Sequence, residues 1–244
     1  ASNGEGDAYG EEVSFKTWAE NEVSDYDGNV YPTVKIGEQT WLRRNLRVTH
    51  YADGTPIPHV KENWNSLMDG DKAYCWYNNE MKYSLGYGAL YTWDAVMNGA
   101  ESSDKNPSEV QGVCPDGWHV PSDQEWQEME IYLGVDPAEA DTIVFRNRGE
   151  DYGGALKETG YTHWRNPNTG ATNISGFTAV GGGYRNSYGQ FRSLERSGAY
   201  WTSTIYQDTD RALTRRLDYN NTFIDRDYSN GYNAASVRCI KDEE

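Results

Sequence analysis

The segment Cys114-Pro115-Asp116-Gly117-Trp118-His119-Val120-Pro121-Ser122-Asp123-Gln124-Glu125-Trp126 compresses a turn, a rigid extended passage and a helix start into consecutive residues. Pro115 fixes φ and Gly117 accepts positive φ, so the chain turns there. Pro121 drives Val120 toward extended backbone, and Ser122 followed by Glu125 is a capping box that satisfies the amide donors of a helix start. Trp126, Met129 and Leu133 then recur at helical spacing, which predicts a helix over residues 122 to 133 with one apolar stripe. Such a helix has to lie on a core that the rest of the chain provides.

On both sides of this segment the pattern is α+β. Residues 1 to 24 are polar, with isolated Val13, Phe15 and Trp18, and read as a tail or tether, while residues 25 to 244 contain no linker and read as one domain. Residues 30 to 36 and 39 to 42 alternate around Gly37-Glu38, which predicts an opening β-hairpin. Residues 73 to 77 have the aromatic content of a strand, and Leu90, Trp93 and Met97 predict a helix over residues 88 to 98. Asp136-Pro137, a capping residue before a proline, predicts a short third helix over residues 137 to 146. From 149 to 175 the chain is rich in Gly, Asn, Thr and Pro yet carries Tyr161 and Trp164, so it reads as a long ordered loop. Residues 177 to 180, 189 to 194, 200 to 206, 212 to 219, 222 to 225 and 236 to 241 then read as antiparallel strands, the last returning beside the opening hairpin. The expected architecture is two or three helices packed on a twisted antiparallel sheet, with long irregular loops.

Only 36% of the residues are hydrophobic, but 19 Tyr and 9 Trp are present, so the core has to be built from amphipathic rings whose polar tips need partners. With 38 acidic against 22 basic residues the formal charge is −16, which disfavours phosphate backbones and anionic membranes; nucleic acid is not an expected partner. No apolar run approaches the length of a bilayer span. Residues 1 to 7 are small, polar and acidic and read as a tether behind a signal segment or lipidated cysteine of a precursor.

His50, His59, His119 and His163 are scattered without metal-ligand spacing, and neither a Gly-x-Ser-x-Gly elbow nor a phosphate loop is present. For His119 a hydrogen bond to a backbone group is expected. Asp208 with Asp210 and Asp225 with Asp227 offer hard oxygen ligands to calcium, although solvated turns account for both pairs; no other cofactor is implied. Three cysteines are an odd number, so in an exported chain two pair and one stays free, with three pairings open. Cys75, among Tyr74, Trp76 and Tyr77, reads as a buried small hydrophobe, against a sharper reading as a nucleophile or redox cysteine. The most suggestive binding set is Trp164, Asn166 and Asn168 in the long loop with Tyr184, Arg185, Asn186, Tyr188 and Arg192 beside the glycine run 181 to 183. Flat rings stack on sugar faces while Asn and Arg donate to hydroxyls, and the same types suit protein hot spots. A purely structural role, rings packing the loop onto the sheet, weighs equally.

The central segment resembles the signature of the Fibrobacter succinogenes major domain, a family of bacterial surface and secreted domains. Collinear with it are Tyr31-Pro32-Thr33-Val34-Lys35-Ile36-Gly37, Tyr74-Cys75-Trp76-Tyr77-Asn78-Asn79, Gly88-Ala89-Leu90-Tyr91-Thr92-Trp93, Leu156-Lys157-Glu158-Thr159-Gly160, Tyr200-Trp201-Thr202-Ser203-Thr204 and Ser236-Val237-Arg238-Cys239-Ile240. The resemblance implies a C-type-lectin-like fold, export to the cell surface or medium, the long loop on the ligand side, and a role in binding carbohydrate or a surface protein without catalysis. It also implies Cys114 pairing with Cys239, as the related fold ties a helix to its last strand, with Cys75 to Cys239 as the alternative. The Glu-Pro-Asn or Gln-Pro-Asp triplet of calcium-dependent lectins is absent. The other functions the resemblance leaves open are a formylglycine-generating type of enzyme centred on Cys75 and a structural subunit of a surface assembly.

Overall fold

The computed structural model describes residues 21–68, 70–143, 148–207 and 209–243. Along the chain its strands are β1 (Glu22–Ser24), β2 (Val30–Ile36), β3 (Gln39–Leu42), β4 (Tyr74–Cys75), β5 (Leu90–Tyr91) and β6 (Trp118–His119). They continue as β7 (Tyr184–Arg185), β8 (Phe191–Arg192), β9 (Ser197–Ile205), β10 (Arg211–Asp218), β11 (Asp225–Asn230) and β12 (Ile240–Lys241). The helices are α1 (Ser84–Tyr87), α2 (Trp93–Met97), α3 (Asp123–Leu133), α4 (Pro137–Ala140) and α5 (Gly153–Leu156). With few helices and mostly antiparallel sheets, the architecture is α+β weighted toward β.

Alternation and one glycine make the opening hairpin. Gly37 takes the first central position of a two-residue turn at φ 63°, where a primed hairpin turn requires glycine, and Val34 faces Trp41 across the pair. β1 adds antiparallel to β2, so the described end of the expected tail is an edge strand of the domain. β12 inserts between β3 and β6, placing Ile240 opposite both Trp41 and His119 and closing a five-stranded sheet in the order β1-β2-β3-β12-β6. A disulfide between Cys114 and Cys239 fastens the same junction across 125 residues of chain. A second sheet, β11-β10-β9, and two two-stranded ribbons complete the framework.

Helix α3 forms as its capping box dictates: Ser122 Oγ accepts from the Glu125 amide and Glu125 Oε2 accepts from the Ser122 amide at 2.8 Å. Trp126 and Met129 are buried, with the Trp126 ring 4.9 Å from that of Trp41 and 5.6 Å from that of Phe177. Burying each such side chain contributes about 1.5–3 kcal/mol. The same helix also buries Asp123 and Glu130, and facing them are Arg215 of β10, Arg226 of β11 and Arg148. Arg215 spans Asp123 Oδ1 and Glu130 Oε1 at 2.6 Å each, Arg226 Nη2 donates to Asp123 Oδ2 at 2.6 Å, and Arg148 Nη2 donates to Glu130 Oε2. Burial opposes the charge on Asp123, but Arg215 and Arg226 outweigh it and hold the carboxyl well below the usual carboxylate range.

Several expected elements are shorter or displaced. The helix expected over residues 88 to 98 is confined to α2, because Thr92 caps it through a bond from the Ala95 amide while the Tyr91 amide and carbonyl are both taken by Ala235. The third helix ends at Ala140, and residues 144 to 147 lie outside the described residues. Residues 177 to 180 make a single bridge, Lys157 to Ala179, rather than a strand. The strand expected over 222 to 225 instead begins at Asp225, since the Ile224 amide and carbonyl are both bound to Arg148. The long loop is ordered by Lys157, whose buried ammonium donates to the carbonyls of Thr169, Asp218 and Asn221 at 2.7, 3.0 and 2.7 Å. Burial pulls that ammonium down to about 8.

Candidate functional site

The structure divides the aromatic and amide set singled out in the sequence. Trp164 is fully buried, its Nε1 donating to Ala179 O at 2.8 Å, so neither ring face meets solvent. Asn168 is buried and its Nδ2 donates to the Glu158 and Gly160 carbonyls. Arg185 is buried as well: it donates to the carbonyls of Gly189, Val60 and Lys61, and its guanidinium carbon lies 4.3 Å from the Trp64 ring centroid and 4.7 Å from that of Phe191. These three are corrected from ligand contacts to internal ties that hold the loop and the β7–β8 ribbon. Asn166, Tyr188 and Arg192 are exposed and Tyr184 and Asn186 half-buried, with the Asn186 side chain bonded within its own turn to Gln190.

A cleft of about 240 Å³ opens elsewhere, where the strand-like segment after β3 runs beside the chain leading into β12. The Leu42 amide donates to Cys239 O and the Leu46 amide to Val237 O. That pairing turns Leu42, Leu46 and Val48 into the core and leaves Arg43, Arg44 and Arg47 at the cleft. Arg238 lies beneath them, fully buried. Its guanidinium donates to Asn45 Oδ1 at 2.8 Å, Leu42 O at 2.8 Å, Phe177 O at 2.7 Å and Thr178 O at 2.9 Å, all neutral acceptors. Burial lowers its pKa to about 10, and the adjacent Arg44 and Arg43 push the same way. Asn45 is itself locked, donating to Tyr87 O and Ser236 Oγ. Among the described residues none of Arg43, Arg44, Arg47 and Arg238 forms a salt bridge with a carboxylate.

Two further groups complete the cleft. Glu158, directly after the Lys157 pin, accepts from His163 Nδ1 at 2.8 Å, and both side chains are about a quarter exposed, at 22% and 24%. The His163 ring edge closes on Gly86, where a Cβ would sit 2.8 Å from Nε2 and the ring would have to shift. Leu85, 67% exposed, adds an apolar surface at the same cleft.

Other candidate residues serve the framework. His119 bonds carboxylates rather than the expected backbone group: Nε2 lies 2.6 Å from Glu125 Oε1 and Nδ1 2.6 Å from Asp242 Oδ1, an arrangement that favours a proton on both nitrogens. Burial works against that charge, yet the two carboxylates prevail and raise the imidazole pKa. Cys75 is a free, buried thiol whose pKa burial pushes up to about 12, against a weaker pull from Arg185, which disfavours the thiolate. Asp208 lies outside the described residues; Asp225 and Asp227 stand in β11 rather than in a turn, on the strand paired with the Arg216-bearing β10. Among the described residues no group of three or more His, Cys, Asp or Glu is placed to hold a metal ion.

The family model of the Fibrobacter succinogenes major domain matches residues 34–241. The chain belongs to that family. Comparison with curated proteins and with solved structures found no match. In this major domain the matched span contains Arg43, Arg44, Arg47, Glu158, His163 and Arg238, which sequence reasoning passed over. The signal that could have found them is local: three arginines within five residues in a chain of net charge −16.

Proposed function

We propose that this major domain is a non-catalytic binding module of the bacterial cell surface or its surroundings, with a C-type-lectin-like fold, and that its ligand docks in the arginine-lined cleft. The convergence of Arg43, Arg44, Arg47 and Arg238 on one cleft, without acidic partners among the described residues and in a chain of formal charge −16, carries this reading. Like charges brought together at a cost are retained where a ligand of opposite charge offsets it. The disulfide suits an oxidising compartment, as outside the cytoplasm. The last strand inserted between the opening hairpin and β6, the eleven-residue helix α3 and the long irregular loops suit the lectin-like fold. Within the described residues no helix is long and apolar enough to cross a membrane, and attachment through a lipid anchor in a precursor is part of the proposal.

The test is a glycan and polysaccharide array probed with the full chain and with the Arg44→Ala/Arg47→Ala variant, each with calcium and with chelator. Saturable binding that the variant loses is expected, insensitive to chelator. Binding retained by the variant would place the ligand elsewhere, and chelator-sensitive binding would return calcium to the account.

A further inference from the structure

On the reading of the cleft as a ligand site, we infer that its ligand is an acidic saccharide: a sugar unit whose carboxylate or sulfate is held by Arg43, Arg44 and Arg47 over Arg238, while its hydroxyls donate to Glu158. The planar guanidinium fork matches such anions two bonds at a time, which a neutral sugar does not exploit. Arg238 is fixed by four neutral oxygens, so its positive charge stands in place before any ligand arrives and does not have to be reoriented.

Glu158 distinguishes among anions. An ionised carboxylate only accepts hydrogen bonds, so beside the arginines it repels a further carboxylate of an acidic peptide but receives the hydroxyl of a sugar. Its bond from His163 Nδ1 at 2.8 Å holds it in that position. Leu85 and Val30 offer apolar surface to the C–H face of the ring. A volume of about 240 Å³ accommodates one unit of a longer chain, since sites for drug-sized ligands start at about 300 Å³.

Calorimetric titration of the full chain with matched polymers tests the inference: dextran sulfate against dextran, polygalacturonate against its methyl ester, and poly-glutamate as the peptide control. The charged member of at least one saccharide pair is expected to bind and its neutral partner not to. Arg43→Ala/Arg44→Ala/Arg47→Ala should weaken that binding by about tenfold or more, and Arg44→Ala/Arg47→Ala, which spares the bond from Arg43 Nε to Gly176 O, should weaken it with the melting midpoint unchanged. Which pair responds identifies sulfate or carboxylate as the recognised group. Neutral polymers or poly-glutamate bound as tightly, and lost in the triple variant, would overturn the acidic saccharide while keeping the cleft as a site. Charged saccharide bound equally by the triple variant would overturn the cleft itself. Failure of every polymer to bind would overturn the inference and leave the cleft to the array.

Discussion

Replacing both Cys114 and Cys239 by alanine is expected to lower the melting midpoint of the oxidised protein by roughly 10–15 °C. The bond closes a loop of 125 residues, and restricting so long a loop in the unfolded chain is worth about 4–5 kcal/mol in the chain-entropy account, against roughly 2–4 °C per kcal/mol for a domain of this size. The cost is large because the bond pins β6 to the segment entering β12, and β12 in turn joins the opening hairpin to α3 through Trp41 and His119. Scanning calorimetry of the wild type and the double variant gives the answer. A difference of only a few degrees would mean that the packing of Trp41, Trp126 and Phe177 holds this junction without the covalent tie. Thiol titration of the wild type should find no reactive group in the native state and one, Cys75, after denaturation.

The second large effect is expected from Asp123→Asn. Asp123 accepts from Arg226 through both carboxylate oxygens, with the exposed Asp141 carboxylate farther off at 3.7 Å, and it shares Arg215 with Glu130. Removing one partner of a buried ion pair costs about 3–5 kcal/mol at neutral pH, because guanidinium groups are left in the interior without their counter-charge. The pH dependence has a definite sign. The folded-state pKa of Asp123 is depressed, so its contribution is complete above the unfolded value of about 3.9 and is lost as pH falls through the folded value. Urea denaturation of wild type and variant should therefore show a wide gap at pH 7 that narrows only in strong acid. A gap that stayed constant with pH would remove the charge from the explanation and leave only packing.

The parts of the fold written in local chemistry were readable from the sequence. Gly37-Glu38 gave the hairpin, and Ser122 with Glu125 gave the start of α3 to within a residue. Helical spacing misled at Leu90, where β4 and Ala235 claim a backbone that periodicity alone assigns to a helix. What could not be read were long-range charge placements. Arg215 lies 85 residues from Glu130 and 92 from Asp123, and nothing near any of them in sequence announces the pairing. The candidate site shows the same limit: Trp164 and Arg185 have the residue types of a binding surface, yet both are consumed by internal partners. Arg238 and Glu158 looked like ordinary polar positions until folding brought them to the arginines after β3.

The most direct test of the cleft is amide hydrogen exchange of the full chain, with and without saturating amounts of whichever polysaccharide the array retains most tightly. Protection is expected to concentrate in residues 43–47, 84–88, 158–163 and 178–180, the segments that line the cleft. Protection centred instead on residues 184–192, around the exposed Tyr188 and Arg192, would contradict it and move the ligand to the β7–β8 ribbon.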